Sequence, residues 1–299
     1  MRMIRLGLGL AIAAVAIALV VTRPAPMPAI PGQQGYALHK VEGPRTLRVL
    51  WLGNSHTYLW DVPGIVARMY AGTATRGLEI HSLTKGGAAL PEILALPETA
   101  RRFAAGGWDV LILQEGSYVA NIRHDLQRPN LASALRAIDT PDARVLLYQN
   151  WAYADRLMPE RLRRYAEATG NPTAFTRLYE AYYADPPHAR QAALDARFSA
   201  LARQIGADVA YAGQAIWKGQ RAGHRLISTD GNHLQADGAV VAAITIYRAL
   251  FGAPPASPPE PGSWSEAGIG RVAPWSALLA LTEPDAVPRG PGWHRPPSR

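Results

Sequence analysis

The sequence predicts an α/β fold around a parallel sheet, and three observations predict it. Short apolar runs bounded by turn signals recur along the chain, as strands buried on both faces require. Helix-like stretches separate these runs, which calls for right-handed crossovers between parallel strands rather than hairpins. Size and composition suffice for such a core. The chain has 299 residues, 48% of them apolar, enough for one α/β domain of roughly 200 to 250 residues with extensions, or for two smaller domains.

The chain starts with Met1-Arg2-Met3-Ile4-Arg5 and continues as an unbroken run of apolar residues and glycine from Leu6 to Val21. A basic flank before an apolar run marks export, with the basic end kept inside. The run is slightly short for a spanning helix, which needs about 20 residues, and slightly long for a signal-peptide core. Residues 1–23 are therefore expected to be either a cleaved signal peptide or an N-terminal membrane anchor. The remainder is expected to be periplasmic or extracellular, tied to the inner membrane by residues 6–21 if the anchor stays. There is no cysteine, which excludes a lipoprotein, disulfides, thiolate catalysis and cysteine metal ligands. Residues 24–44 carry Pro, Gly and Gln and few apolar residues, and are expected to form a linker.

The folded part is expected from Arg45. Strand candidates are Leu47–Leu52, Leu78–Leu83, Val110–Leu113, Arg144–Tyr148 and Val209–Ala212. Helix candidates between and after them are Val62–Ala71, Leu90–Phe103, Leu131–Ile138, Ala189–Ile205 and Ala239–Leu250. Pro159 to Pro187 breaks the alternation with two helical pieces, Glu160–Thr169 and Pro172–Ala184, rich in Tyr and Arg. Following the fourth strand, they are expected either as a cap over the site or as a surface helical pair. Residues 253–299 form a proline-rich extension. The formal net charge is +8, but no run of five or more Lys or Arg exists. Scattered surface charge, with no nucleic-acid partner, is the expectation.

In parallel sheets ligands sit beyond the carboxyl ends of the strands. Gly53-Asn54-Ser55-His56-Thr57 lies at such an end. A serine hydroxyl is a weak nucleophile until a base takes its proton. Gly53 permits a tight turn, and a helix starting at Ser55 would aim its N–H at a developing oxyanion. A plain helix-capping serine is the alternative. Asp230-Gly231-Asn232-His233, in the loop before Ala239–Leu250, supplies a base with an orienting acid three positions away. A second Asp-x-x-His, Asp185-Pro-Pro-His188, has prolines that suggest a bend between helices. His224 lacks a carboxylate at that spacing. Asp230, His233, Asp237 and His224 match no metal motif, and no phosphate-cradling loop occurs, so neither metal nor cofactor is expected. His56 is expected to pack or to make a supporting polar contact, and Glu115 to be a solvated or paired carboxylate.

Gly53–Thr57 resembles the first sequence block of SGNH (GDSL-type) hydrolases in the variant Gly-Asn-Ser-x-Thr, and Asp230–His233 resembles their last. Lys85-Gly86-Gly87-Ala88 is similar to the block whose glycine N–H donates to the oxyanion, with Gly87 as the donor and Gly86 as the near alternative. Gln114, after Val110–Leu113, stands where the family carries asparagine. Its amide can still donate, but the extra methylene shifts the geometry. Leu113-Gln114-Glu115 resembles an uncharacterised branch rather than the well-studied lipases. The resemblance covers roughly residues 45–252, with all blocks in order. It implies a flavodoxin-like, three-layer α/β/α domain with a parallel five-stranded sheet. It also implies a Ser55–Asp230–His233 triad, with Ser55, Gly87 and Gln114 as the oxyanion hole, cleaving carboxylic (O-acyl) esters of small molecules, glycans or lipids. Asn54, Asn150 and Trp151 are expected at the substrate rim. Gln114 leaves a second reading open, a non-catalytic glycan-binding domain of the same fold.

Overall fold

In the computed structural model, which describes residues 35–138, 142–154, 171–258 and 273–283, six strands build one sheet. They are β1 (Gly35–Val41), β2 (Leu47–Gly53), β3 (Leu78–Thr84), β4 (Val110–Leu113), β5 (Arg144–Tyr148) and β6 (Asp208–Ala210). Their order is β1-β3-β2-β4-β5-β6. The last five of that list are mutually parallel and follow the doubly wound order expected of a flavodoxin-like sheet.

β1 corrects the linker expectation. Gly35–Val41 pairs antiparallel with β3 along its whole length, from Gly35 opposite Thr84 to Val41 opposite Leu78. Among the described residues the five expected parallel strands are therefore joined by a sixth, antiparallel one. An edge strand needs no continuous apolar run, because only one neighbour and part of each face are covered. Four of its seven residues are polar or small, so its composition reads as a linker.

The described helices are α1 (Ser55–Tyr58), α2 (Val62–Ala71), α3 (Leu90–Leu94), α4 (Pro97–Ala105), α5 (Ser117–Asn121), α6 (Gln127–Ala137), α7 (Pro172–Ala184), α8 (Pro187–Ile205), α9 (Ala212–Arg221), α10 (Ala236–Phe251) and α11 (Trp275–Leu281). The single helix expected over Leu90–Phe103 is two. Pro97 forces Leu96 into an extended conformation, φ −70° and ψ 134°, and the chain restarts as α4. The last strand is shorter than expected because Ala212 already opens α9.

Alternation along the inner strands sends side chains into two cores. Val49 and Trp51 of β2 join α2, α9 and α10 on one face, while Leu50 and Leu52 join α3, α6 and α8 on the other. α10 is apolar on almost every side and correspondingly buried. Within the proline-rich extension, α11 returns to the body and buries Leu278 and Leu281 in the first core. The expected signal or anchor and the piece Glu160–Thr169 lie outside the described residues. Among the described residues no helix is long and apolar enough to cross a membrane.

Gly213 fixes how closely α9 approaches the site. A Cβ there would lie 2.2 Å from the Asn150 carbonyl oxygen and 2.9 Å from Gln191 Nε2. Backbone cannot yield as a flexible side chain can. Gly213→Ala is expected to lower stability by about 1–3 kcal/mol, read as a fall in the urea midpoint. An unchanged midpoint would contradict this packing.

Candidate active site

β2, β3, β4 and β5 all end on one side of the sheet, and the segments that carry Ser55, Gly87, Gln114 and Asn150 leave from there. Gly53 ends β2 where no side chain fits: a Cβ would lie 2.2 Å from Thr57 Oγ1 and 2.9 Å from Gln114 Oε1. Asn54 caps α1, its Oδ1 accepting the His56 N–H at 3.1 Å. Ser55 is the first residue of α1, so its N–H has no intrahelical acceptor. It is partly exposed, between buried neighbours.

The Asp230–His233 loop is held around one carboxylate. Asp230 Oδ1 accepts the Ser228 hydroxyl at 2.5 Å and the N–H groups of Asn232 at 3.0 Å and His233 at 2.9 Å. Gly231 supplies the left-handed residue the turn needs, φ +73°. Asp230 Oδ2 is 2.5 Å from His233 Nδ1, and His233 Nε2 is 2.9 Å from Ser55 Oγ. Burial on its own would raise the Asp230 carboxyl. The His233 imidazole, the Ser228 hydroxyl and the His233 N–H outweigh burial and hold it far below the usual carboxylate range. An ionised Asp230 keeps the proton on Nδ1 and leaves Nε2 free to accept the serine hydroxyl proton. Ser55 Oγ meets His233 and not His188 or His224. Asp185 and His188 are exposed where α7 passes into α8. Among the described residues no group of three His, Asp or Glu is arranged to hold a metal.

Two further segments border Ser55 through the strand ends. Lys85 to Ala88 forms a turn closed by Ala88 N–H to Lys85 O at 3.2 Å. Gly87 sits in it at φ +69° with open space where a side chain would be. Gln114 is buried. Its Oε1 accepts the Thr57 hydroxyl at 2.6 Å and the Asn54 N–H at 3.3 Å, while its Nε2 has no hydrogen-bond partner among the described residues. A buried donor left unpaired costs about 1–3 kcal/mol, so its retention points to a task outside folding.

Solved structures share this architecture. A protein from Slackia heliotrinireducens named as a candidate SGNH hydrolase superposes with a TM-score of 0.52 at 22% identity, over 69% of this chain and 100% of its own. A DUF4886 family protein from Bacteroides uniformis gives 0.52 at 18%, over 79% and 93%. The lipase/acylhydrolase from Enterococcus faecalis gives 0.50 at 16%, over 72% and 100%. No family model and no curated protein matches the chain. This is the SGNH hydrolase fold.

Within the SGNH fold of this chain, the expected rim residues are not at a rim. Asn54 is 2% exposed, and Asn150 and Trp151 are 0% exposed. Their polar groups tie loops together. Asn54 Nδ2 donates to Ala88 O at 3.3 Å and Glu115 O at 3.1 Å. Asn150 Nδ2 donates to Glu115 O at 3.2 Å, and Trp151 Nε1 to Asn232 O at 2.7 Å. They are the floor beneath Ser55 and His233 and present no surface to a substrate.

Glu115 is the centre of that floor. Its Oε1 accepts the Leu90 N–H at 3.0 Å and the Gly116 N–H at 2.7 Å, and its Oε2 accepts Asn130 Nδ2 at 2.9 Å. Burial raises its carboxyl above the usual value despite these three bonds. Ser228, Asn130 and Asn232 were missed in the sequence. The one available signal was the adjacency of Ser228 and Asn232 to Asp230.

The SGNH body also carries α7, the described part of the expected cap. Phe175, Tyr179, Tyr182 and Tyr183 pack it against α5 and the loop after β5. Tyr182 Oη donates to Asn121 Oδ1 at 2.8 Å and accepts the Tyr153 N–H at 2.9 Å. The next residue, Ala154, donates its N–H to Gly231 O at 3.0 Å. The helix is thus linked through residues 153–154 to the loop that carries Asp230 and His233.

Proposed function

We propose that the chain is an exported serine hydrolase that cleaves carboxylic (O-acyl) esters, with a hydrolase region that begins at β1, Gly35, rather than at Arg45. The observation that carries this reading is the continuous relay from Asp230 Oδ2 through His233 to Ser55 Oγ, with links of 2.5 and 2.9 Å. The 2.9 Å link is within the reach general-base catalysis requires, and the link to Asp230 orients the imidazole. His233 Nε2 takes the Ser55 proton as Oγ attacks the ester carbonyl carbon, and the carbonyl oxygen becomes an oxyanion. The N–H groups of Ser55 and Gly87 and the Nε2 of Gln114 stabilise it. As the tetrahedral centre collapses, the bond to the alkoxy oxygen breaks and His233 returns the proton to the leaving alcohol. Water then attacks the acyl-serine with His233 again as base, releasing the carboxylic acid and restoring Ser55. Asp230 stays ionised throughout and stabilises the imidazolium.

The basic start and apolar run of residues 1–21 support export, which makes acyl esters of envelope glycans or lipids reasonable substrates. The similarity in fold to the lipase/acylhydrolase from Enterococcus faecalis supports the acyl part. The test uses the full chain with p-nitrophenyl acetate and a serine-directed fluorophosphonate. Turnover together with stoichiometric labelling is expected. A folded sample that neither turns over nor labels would instead favour the glycan-binding reading.

Gln114 has its own test. Its free Nε2 donor is expected to be worth about 10²–10³ in kcat, so Gln114→Ala should lose that much with KM little changed. A loss below about threefold would remove Gln114 from the oxyanion hole.

A further inference from the structure

The residue next to the nucleophile makes a second bridge to the acid–base loop. Ser55 Oγ meets His233 Nε2 at 2.9 Å, and His56 Nε2 meets Asn232 Oδ1 at 3.0 Å. Neighbours 55 and 56 therefore clip onto neighbours 233 and 232 by two side-chain rungs. The rest of the His56 surroundings serve that second rung. Its ring stacks on Trp151, centroids 4.1 Å apart at 22°, and stands edge-on to His233 at 5.6 Å and 90°. Its carbonyl accepts the buried Tyr148 hydroxyl at 3.3 Å.

The proton on His56 can be placed by elimination. Asn150 Nδ2 donates to Glu115 O, which fixes the orientation of that amide, and the same Nδ2 faces His56 Nδ1 at 3.4 Å. An amide nitrogen only donates, so Nδ1 must accept and the proton sits on Nε2. Nε2–H then needs an acceptor, and Asn232 Oδ1 is that acceptor. Asn232 is held at three atoms: its side chain by His56, its carbonyl by Trp151 and its N–H by Asp230.

We propose that His56 is a positioning residue, which fixes the distance between His233 and Ser55 by locking Asn232 to the nucleophile turn. Its ring nitrogens face Asn232 and Asn150, not Ser55 Oγ or His233 Nε2. The proposal rests on the serine-hydrolase reading for its kinetic consequence, but not for its geometric one. A misplacement of about 1 Å at a reacting pair can cost about 10²-fold.

The experiment compares His56→Phe, which keeps a flat ring against Trp151 but loses the N–H, with His56→Gln, which keeps an N–H donor. Asn232→Ala cuts the same rung from the other side and serves also if His56→Phe does not fold. His56→Phe is expected to lower kcat about 10–10²-fold at unchanged KM, and His56→Gln to recover most of it. In a double-mutant cycle, Asn232→Ala should add little to His56→Phe. An unchanged kcat, a loss confined to KM, or additive losses would overturn the proposal. Proton NMR reads the geometry without turnover. The far-downfield resonance expected of the 2.5 Å His233–Asp230 bond should move or broaden in His56→Phe and Asn232→Ala but not in His56→Gln. A resonance unmoved in the first two overturns the proposal. An inert wild type in which it moves overturns the hydrolase reading alone and supports the positioning role.

Discussion

Ser55→Ala is expected to abolish fluorophosphonate labelling and to lower ester turnover by roughly 10⁴-fold or more, with the fold retained. The fold should survive because, among the described residues, Ser55 Oγ bonds only to His233, while the Gly53–Thr57 turn is held by other groups. Asn54 caps α1, Thr57 and Gln114 brace it from beneath, and His56 holds it to Asn232. Removing one hydroxyl leaves those bonds intact. Intact-protein mass spectrometry gives the labelling, and a thermal melt gives the control. Labelling that persists in a folded Ser55→Ala sample would place the nucleophile elsewhere.

Asp230→Asn has the next largest expected effect, roughly 10⁴-fold in kcat, and its cause is a proton rather than a lost residue. A carboxylate accepts from His233 Nδ1–H. An amide nitrogen in that place would donate to Nδ1, move the imidazole proton to Nε2 and leave Ser55 facing a donor instead of a base. The same substitution has a stability signature. The native Asp230 carboxyl lies far below its ordinary value of 3.8. A depressed acid adds stability that is fully present above the unfolded value and is lost as pH falls through the folded one. Part of the acid sensitivity of the wild type below about pH 4 should therefore be missing in Asp230→Asn. Denaturation midpoints measured from pH 2 to 6 check this. Parallel curves for the two proteins would contradict the ionised, multiply bonded carboxylate.

The inner strands were legible because burial on both faces leaves a continuous apolar run, as in Val110–Leu113. β1 was hidden for the converse reason: an edge strand is half solvated, and its Tyr-Ala-Leu-His-Lys-Val looks like linker. α9 was hidden because its ten residues include two glycines, one of them required by contact with the Asn150 carbonyl. At the site, Ser55, Asp230 and His233 could be singled out because strand ends and loop position bring them to one side of the sheet. The rim could not be read. Chain position puts Asn150 and Trp151 at a strand end, but only the packing of α9 and the acid–base loop decides that they turn inward. Glu115 reads as a solvated or paired carboxylate, and its partners are two backbone N–H groups and an asparagine, none of which sequence spacing reveals.

The border strand bears on how a shortened form of this protein can be made. A chain begun at Arg45, the first residue that looks folded, would omit Gly35–Val41 and strip the outer row of hydrogen-bonding groups from β3 bare along seven residues. Such an uncovered margin is an invitation to stacking between molecules. Truncations meant to stay monodisperse should keep everything from Gly35 onward.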